Sequence, residues 1–373
     1  MAKKKTTKKK SSKKKSTKKK STKKKSSKKK STKKSSKKKT SKSEEQKVEE
    51  EEVSIDPLDT LDYNVGDIPG VGSATRKKLV DAGYDTLQAL AIIPPGVIME
   101  DCGIGEKTSE KIVKAARDIL NLDYKSAEDV WERRKNLARI TSGCQQIDEL
   151  LGGGFETGGI TELFGEYRTG KTQICHQLCV NVQKPKSEGG IDGNALYIDT
   201  EGTFRPERLI QMAESHGMDP QNVLKRIFTA RAYNSQHQII LIKDAHRQIA
   251  EHNINLVIVD SLISHFRSEY IGRGTLANRQ QLLNQHIHDL QRLSDIYPNL
   301  AVIVTNQVQS KPDVFFGDPN RATGGHVLAH AATTRLYVRK GKGEQRVMKV
   351  KDSPNLPEGE AIFVISDGGI IDP

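Results

Sequence analysis

The stretch that decides the fold is "ITELFGEYRTGKTQ", residues 160–173. Its apolar start predicts a strand, and the helical spacing of Ile174, Leu178 and Val182 predicts a helix directly after it. The Gly-x-x-x-x-Gly-Lys-Thr loop between them has the pattern and context of a phosphate-binding loop, so we expect ATP and Mg²⁺ here. The candidate nucleotide-binding residues are Gly165, Glu166, Tyr167, Arg168, Thr169, Gly170, Lys171, Thr172 and Gln173.

A phosphate-binding loop needs a second strand that ends in an acid near Mg²⁺, and "NLVIVD" supplies it with Asp260. We expect Lys171 to reach the β- and γ-phosphates, and Thr172 and Asp260 to serve the metal. Alternation of strand and helix patterns predicts a doubly wound α/β sheet. The other strand candidates are "ALYID" (195–199), "RIFTA" (226–230), "LAVIVT" (300–305), "TRLYVRK" (334–340), "RVMKVKD" (346–352) and "AIFVIS" (361–366).

Polar side chains follow the carboxyl ends of these strands, where parallel sheets place their functional loops. Glu201, after "ALYID", is a candidate to activate water for attack on the γ-phosphate. Gln307, after "LAVIVT", is a candidate sensor of the γ-phosphate that signals to the loop that follows it. The alternative for each polar strand end is a helix cap or a turn.

Two long, Gly-bearing segments, residues 266–281 and 309–326, mix cationic and aromatic side chains. Long loops of this kind in a compact domain are usually functional. They suit a groove for single-stranded DNA, and the alternative is a pair of lids over the nucleotide. The candidate DNA-binding residues are Arg267, Tyr270, Arg273, Arg279, Lys311, Phe315, Phe316 and Arg321.

A smaller domain precedes the nucleotide site and has two Gly-x-Gly turns, each followed by an amphipathic helix pattern. "VGDIPGVGSATR" (65–76) holds Gly70 and Gly72, and "DCGIGEKTSEK" (101–111) holds Gly103 and Gly105. This pairing is typical of helix-hairpin-helix units, whose helix N-termini contact the nucleic-acid backbone. The alternative is a plain helical hairpin domain.

The charge of the chain is concentrated at its start. The net charge is +14, yet residues 1–43 hold 24 lysines and no acid, so the net charge of the rest is −10. The lysine-rich segment lacks the apolar residues needed to fold, and we expect a disordered arm that contacts phosphates. The alternative is an arm that solubilises the protein or serves as a targeting address. We predict no membrane segment. The spacing of the four cysteines matches no zinc or disulfide pattern, so we expect buried thiols and a reducing, intracellular location, cytoplasmic or at the nucleoid.

Several motifs together resemble the RecA/RadA class of DNA strand-exchange recombinases, most closely archaeal RadA proteins and their eukaryotic orthologues. The similarity extends from about residue 61 to the C-terminus. It is carried by "GEYRTGKTQ", "YIDTEGTFRPERL", "FTARAYNS", "LVIVDSLISHFRSEYIGRGTLANRQQ", "VTNQV", "PDVFFGD", "GGHVLAHAATTRLYVRKGKG" and "KDSPNLPEGEAIFVI".

The resemblance implies roles for further residues. Arg208 matches an arginine that packs on adenine, and His330, Asp352 and Pro354 match positions that reach the nucleotide from the neighbouring protomer. "YKSA" matches the aromatic-x-x-Ala motif that docks on the next protomer, with Tyr124 where Phe is commonest and Ala127 retained. The implied activity is DNA-dependent ATP hydrolysis coupled to strand exchange in filaments. Recombination mediators are further candidate partners.

The expected architecture is a RecA-like P-loop ATPase core of class α/β behind a small all-α helix-hairpin-helix domain and a disordered tail. An ATPase paralogue or regulator without strand exchange, and a helicase-like motor, remain as alternatives, and the complete ATP site disfavours a pure DNA-binding module. The predicted segments are a tail (1–52), the helix-hairpin-helix domain (53–122), a linker with the polymerisation motif (123–136) and the core (137–373).

Overall fold

The chain divides into two units, residues 1–54 and 55–373. The computed structural model describes residues 65–120, 122, 124–310, 320–324 and 326–373, all of them in the second unit. The tail predicted for residues 1–52 lies outside the described residues. Only the backbone is described for Asp67, Arg273, Ser310, Asn320, Arg321 and His326.

The small domain is all-helical, as predicted. After a 3₁₀ turn at Val65–Asp67, it consists of α1 (Ser73–Asp81), α2 (Leu87–Ile92), α3 (Pro95–Cys102) and α4 (Glu106–Ile119). Leu79, Leu90 and Ile112 are buried in one apolar core. The glycine turns end where helices begin, because Gly72 caps α1 and Gly105 caps α4.

The segment predicted as a linker contains a helix, α5 (Ala127–Lys135). A capping box starts it: Ser126 accepts a hydrogen bond from the Asp129 backbone N–H at 3.1 Å, and the Asp129 carboxylate accepts from the Ser126 N–H at 2.9 Å. No residue of α5 is buried. Its contacts are therefore polar: the cap, its own hydrogen bonds and an ion pair of 2.9 Å between Arg134 and Glu156 on the segment before the sheet.

The core is a large mixed sheet with helices on both faces, which confirms the α/β prediction. Its path runs β12-β11-β10-β9-β3-β7-β6-β4-β5, and β8 pairs with β7. The strands from β9 to β5 along this path are parallel, whereas β10, β11 and β12 extend the sheet in antiparallel fashion. The strands are β3 (Gly159–Gly165), β4 (Asn194–Asp199), β5 (Ile227–Arg231), β6 (Ile254–Asp260), β7 (Ala301–Ser310), β8 (Asn320–Ala322), β9 (Thr334–Lys340), β10 (Gln345–Asp352), β11 (Glu360–Ser366) and β12 (Gly369–Ile371).

Helices cover both faces of this sheet, and a small hairpin precedes it. The hairpin pairs β1 (Arg139–Ile140) with β2 (Phe155–Glu156) around α6 (Gln145–Leu150). The remaining helices are α7 (Lys171–Asn181), α8 (Pro206–Ser215), α9 (Pro220–Lys225), α10 (Ser235–Lys243), α11 (Ala245–His252), α12 (Ser264–Glu269), α13 (Leu276–Ile296) and α14 (His326–Ala331). Among the described residues, none of the helices combines the length and apolarity needed to cross a membrane.

The central strands are apolar on both sides because each side packs in its own core. Along β6, Leu256 and Ile258 belong to one apolar cluster, and Val257 and Val259 belong to the cluster on the other face. This is the pattern expected of a parallel sheet covered on both faces. All four cysteines are buried, unpaired thiols, as predicted.

The prediction of one long loop over residues 266–281 is wrong. Helix α12 extends to Glu269, and α13 starts at Leu276, so only a short connection with a 3₁₀ turn at Arg273–Thr275 lies between them. Two anchors account for this. Phe266 is fully buried, and the Glu269 carboxylate accepts a hydrogen bond from the Ser235 N–H at 2.7 Å. The glycines at 272 and 274 mark the real turn.

Candidate functional site

The loop between β3 and α7 has the geometry of a phosphate cradle. A Cβ at Gly165 would lie 2.0 Å from the Val338 carbonyl oxygen, so only glycine fits there. Gly170 has a φ of 107°, in the left-handed region that favours glycine. Gly170 precedes α7, and no described side chain caps this end of the helix. The first backbone N–H groups of α7 are therefore available to an anion.

Lys171 lies folded against its own loop. Its ammonium donates hydrogen bonds to the carbonyl oxygens of Gly165, at 3.0 Å, and Glu166, at 2.8 Å. Burial lowers the pKa of Lys171, and the nearby carboxylates of Asp260 and Glu201 oppose this effect. The charged ammonium is thus held at the loop by weak neutral acceptors, which a phosphate can replace with a charge-assisted contact.

Asp260, the last residue of β6, accepts hydrogen bonds from hydroxyl groups on α7 and on both strands that neighbour β6. Its Oδ2 accepts hydrogen bonds of 2.7 Å from both Thr172 Oγ1 and Tyr197 Oη, and its Oδ1 accepts from Thr305 Oγ1. Burial raises the pKa of Tyr197, with Asp260 adding to the effect, so the phenol stays a donor. The structure brings together Thr172 and Asp260, the two residues predicted to serve Mg²⁺.

Glu201, which follows β4, and Gln307, on β7, are in direct contact. Gln307 Nε2 donates to Glu201 Oε1 at 3.0 Å, and Ser261 Oγ donates to the same oxygen at 2.8 Å. Arg267 Nη1 lies 3.5 Å from Gln307 Oε1. The candidate base and the candidate γ-phosphate sensor are therefore direct partners, and a residue from the first predicted DNA-binding segment contacts the sensor.

Asp199 was not among the candidates, yet its carboxylate organises the turn that carries Glu201. Oδ1 accepts from the backbone N–H groups of Glu201, Gly202 and Thr203, and Arg231 Nη1 lies 3.0 Å from it. An Asp at a strand end, three residues before a glycine, is a sequence pattern that predicts such a turn.

His176, one turn into α7, was also missed. Its Nδ1 donates to the Thr172 carbonyl at 2.8 Å, and its Nε2 accepts from the Arg205 N–H at 3.2 Å. Burial lowers the pKa of this imidazole. The ring is neutral, stacks on Tyr197 and fixes the position of α7 relative to the turn after β4.

The residues with roles implied by the resemblance lie in different places. Arg208 donates through Nε to Gln173 Oε1 at 2.7 Å, and through its other nitrogens to the Ser366 and Asp367 carbonyls. Arg208 therefore lies beside Gln173, the last of the candidate nucleotide-binding residues at the loop. His330, Asp352 and Pro354 are exposed, and their predicted reach to a neighbouring protomer's nucleotide stays a prediction.

The candidate DNA-binding residues of the core are only partly described. Arg267 is on α12 and Arg279 on α13, whereas Tyr270 packs partly on an apolar core cluster. Arg273 lies in the 3₁₀ turn and Arg321 in β8, with backbone alone described. Lys311, Phe315 and Phe316 lie outside the described residues.

The turn glycines of the small domain present open backbone. A Cβ at Gly70, Gly72, Gly103 or Gly105 would meet no heavy atom within 4 Å. Gly70 and Gly103 have φ values of 89° and 57°, which account for glycine at these two turns. Lys78 Nζ donates to the Gly103 carbonyl at 3.1 Å and so links the two hairpins.

The predicted self-association motif is fully accessible. Tyr124 is completely exposed, and Ala127 is the exposed first residue of α5. Trp131 on the same helix is 58% exposed, with the Lys135 ammonium 5.3 Å from its ring centre. An exposed tyrosine and tryptophan on an unburied helix form a surface that an apolar pocket of a partner can accept.

The residues of the site fit Mg-ATP. A glycine cradle, an uncapped helix N-terminus and a half-buried lysine suit phosphates, and the hydroxyl of Thr172 with the carboxylate of Asp260 suits a hard cation. Within the described residues no group of three or more His, Cys, Asp or Glu side chains could hold a metal. A magnesium ion held by one or two protein oxygens and by substrate phosphates needs no such group.

The sheet order and the loop between β3 and α7 define a P-loop nucleotide-binding protein with a RecA-like core. The chain matches the Rad51 family over residues 133–373 and a SAM-like helix-hairpin-helix tandem domain over residues 64–118. It is 53% identical over 310 residues to the "DNA repair and recombination protein RadA" of Aeropyrum pernix, covering 83% of this chain and 97% of that protein. The chain belongs to the Rad51 family.

Proposed function

We propose that the protein is an ATP-dependent recombinase that forms helical filaments on single-stranded DNA and catalyses homologous pairing and strand exchange in recombinational repair. Family membership and similarity to a DNA repair and recombination protein support the recombinase. The alternatives without strand exchange are not favoured, because the similarity covers 97% of a RadA protein. The observation that carries ATP dependence is the contact between Glu201 and Gln307 at the edge of the P-loop.

ATP hydrolysis follows from the groups that face this edge. The P-loop backbone and Lys171 bind the phosphates, Glu201 holds and deprotonates the attacking water, and Gln307 responds to the γ-phosphate. Thr172 and Asp260 would hold Mg²⁺, which would supply positive charge to offset the charge that develops on the phosphates. Ser261 and Gln307 hold one Glu201 oxygen, which leaves the other oxygen for water.

Single-stranded DNA binds along the core segments 266–281 and 309–326 in this proposal, and the helix-hairpin-helix domain holds the backbone of duplex DNA. Arg267 supports a link between DNA and nucleotide, because its guanidinium lies 3.5 Å from Gln307 Oε1. A DNA phosphate that attracts Arg267 would draw its guanidinium away from Gln307, the candidate γ-phosphate sensor. Such a link makes hydrolysis DNA-dependent.

Self-association occurs through Tyr124 and Ala127, which dock in a pocket of the next protomer. The neighbouring protomer then contributes His330, Asp352 and Pro354 to the ATP site, and Arg208 packs on adenine. The domain boundaries proposed from the sequence (53–122, 123–136 and 137–373) separate DNA capture, docking and catalysis. Acting on chromosomal DNA places the protein inside the cell, where recombination mediators are further partners.

The test of ATP and metal binding is the rate of phosphate release with and without single-stranded DNA, at varied Mg²⁺ concentration. Asp260→Asn keeps the shape but removes the charge, and we expect DNA-stimulated hydrolysis to fall on the order of 10²-fold or more. Asp192→Asn is the matched control, because Asp192 forms only an exposed ion pair with Arg226. Equal rates for the two variants, or no stimulation of the native protein by DNA, would contradict the proposal.

A further inference from the structure

Asn306, next to the γ-phosphate sensor, uses every hydrogen-bonding position of its buried side chain. Its Nδ2 donates to Glu162 Oε1 and to the Thr323 carbonyl, both at 2.7 Å. Its Oδ1 accepts from the Gln307 N–H at 2.8 Å and from Thr323 Oγ1. A flipped amide would lose these pairings, so one orientation of Asn306 is fixed.

Glu162 and Arg335 anchor this amide in the sheet. Glu162 is fully buried on β3, and its second oxygen pairs with Arg335 Nε on β9 at 2.6 Å. The Arg335 guanidinium also lies 5.1 Å from the centre of the Phe164 ring, directly before the P-loop. A buried carboxylate with both oxygens occupied is a rigid attachment point.

Thr323, directly after β8, connects this hydrogen-bond network to that strand. Its N–H donates to the Gln307 carbonyl at 2.9 Å, and its hydroxyl lies 3.0 Å from the same oxygen. The Gln307 backbone is thus bonded at its N–H by Asn306 and at its carbonyl by Thr323. If Gln307 moves, either Thr323 moves with it or buried hydrogen bonds break. Leaving a buried hydrogen-bonding group without a partner is costly in free energy.

We propose that the Asn306–Thr323 clamp, the five hydrogen-bonding groups of these two residues anchored on Glu162 and Arg335, is a positioning device that transmits the state of Gln307 to strand β8. The inference deepens the proposed function and rests on it. Gln307 meets Glu201 on the nucleotide side, and its backbone meets Thr323 on the side from which β8 leaves. Asn306 and Thr323 touch no reacting atom; they act through Gln307.

The experiment compares the affinity of the full chain for a fluorescent single-stranded oligonucleotide with a non-hydrolysable ATP analogue and with ADP. Thr323→Val removes the hydroxyl at nearly constant volume, and Thr323→Ser restores it. Thr157→Val is the matched control, because the buried Thr157 hydroxyl has no hydrogen-bond partner among the described residues. Thermal unfolding of every variant is recorded beside the binding curves.

We expect Thr323→Val to reduce the ratio of the two affinities about fivefold, the order that one buried hydrogen bond supplies, while Thr323→Ser and Thr157→Val keep it. A purely structural loss would weaken binding with both nucleotides equally and leave the ratio unchanged, which would overturn the clamp. If Thr323→Val is too unstable to assay, the same ratio in Asn306→Ser decides the question. No nucleotide dependence in the native protein would instead overturn the proposed function.

Discussion

The side-chain amide of Gln307 donates a hydrogen bond of 3.0 Å to Oε1 of Glu201, although the two residues are 106 positions apart. Glu201 follows β4 by two residues and Gln307 lies on β7, with β6 between these two strands. They meet because parallel strands direct their carboxyl ends to one edge. The candidate base is thereby restrained by the candidate sensor. A γ-phosphate that draws Gln307 away would release one lone pair of Glu201 next to the attacking water.

Glu201→Gln keeps the acceptor for Ser261 and Gln307 but removes the base. We expect kcat for ATP hydrolysis to fall between about 10² and 10⁴-fold, the usual contribution of a general base, while ATP affinity changes little. Steady-state hydrolysis and nucleotide binding, measured on the same preparation, separate these effects. Glu214→Gln, at an exposed position of α8, is the control. Native turnover in Glu201→Gln would exclude Glu201 as the base.

Arg335→Ala leaves the fully buried Glu162 without its cation. Removing one partner of a buried pair typically costs about 3–5 kcal/mol, because the remaining charge is uncompensated. Arg339→Ala, four residues further along β9, breaks only an exposed pair with Glu360 and should cost under about 1 kcal/mol. Urea unfolding followed by circular dichroism measures both, and similar transition midpoints would refute the burial argument.

The stability of the core should fall in mild acid because of His286. Burial lowers the pKa of this imidazole to about 3, and Gln238 Nε2, 3.0 Å away, donates to its neutral Nε2. An unfolded histidine titrates near about 6.5, so below that pH the unfolded state binds a proton that the folded state refuses. The free energy of unfolding should therefore decline by about 1.4 kcal/mol per pH unit, from pH 6.5 towards pH 3, for this group.

The check is His286→Gln, which cannot titrate and retains a polar side chain beside Gln238. Its unfolding free energy should fall less steeply than that of the native protein between pH 6 and pH 4. Parallel pH profiles for the two proteins would show that the proton is taken up elsewhere.

Tyr124→Ala should abolish long assemblies without unfolding the protein, because the Tyr124 ring is fully exposed and supports no internal contact. Tyr124→Phe is the matched variant. It keeps the ring and removes the hydroxyl, whose burial without a partner is costly, so assembly should be as extensive as in the native chain or more so. Light scattering and electron microscopy measure filament length. Native-length filaments in Tyr124→Ala would contradict the docking proposal.

Most of the core was predictable because the relevant signals are local. Continuous apolar runs such as "NLVIVD" belong to strands buried on both faces, and the glycine-lysine-threonine pattern has one established geometry. Strand β9 spans the predicted residues 334–340. The glycine turns of the small domain likewise required φ values that few other residues adopt.

The sequence predictions failed where contacts between residues far apart in the chain determine the local structure. Residues 266–281 have loop-like composition, but burial of Phe266 and the bond from Ser235 to Glu269 extend α12 into them. The turn pattern at Asp199 does not by itself indicate a site residue, and Asn306 has no recognisable motif. The importance of both lies in backbone groups and strands that only the folded sheet brings near. The linker prediction missed helix α5, because a Ser–Asp capping box in a charged stretch is a weak sequence signal for a helix.

The most direct test of the central claim is an ATP-dependent joint-molecule assay between a single strand and a homologous supercoiled duplex. The native protein should form D-loops with ATP and homologous DNA. Lys171→Ala should form none, because we propose that the ammonium held at the Gly165 and Glu166 carbonyls binds the phosphates. Lys225→Ala, at an exposed end of α9, controls for the loss of one positive charge. D-loops at native yield from Lys171→Ala would contradict the account.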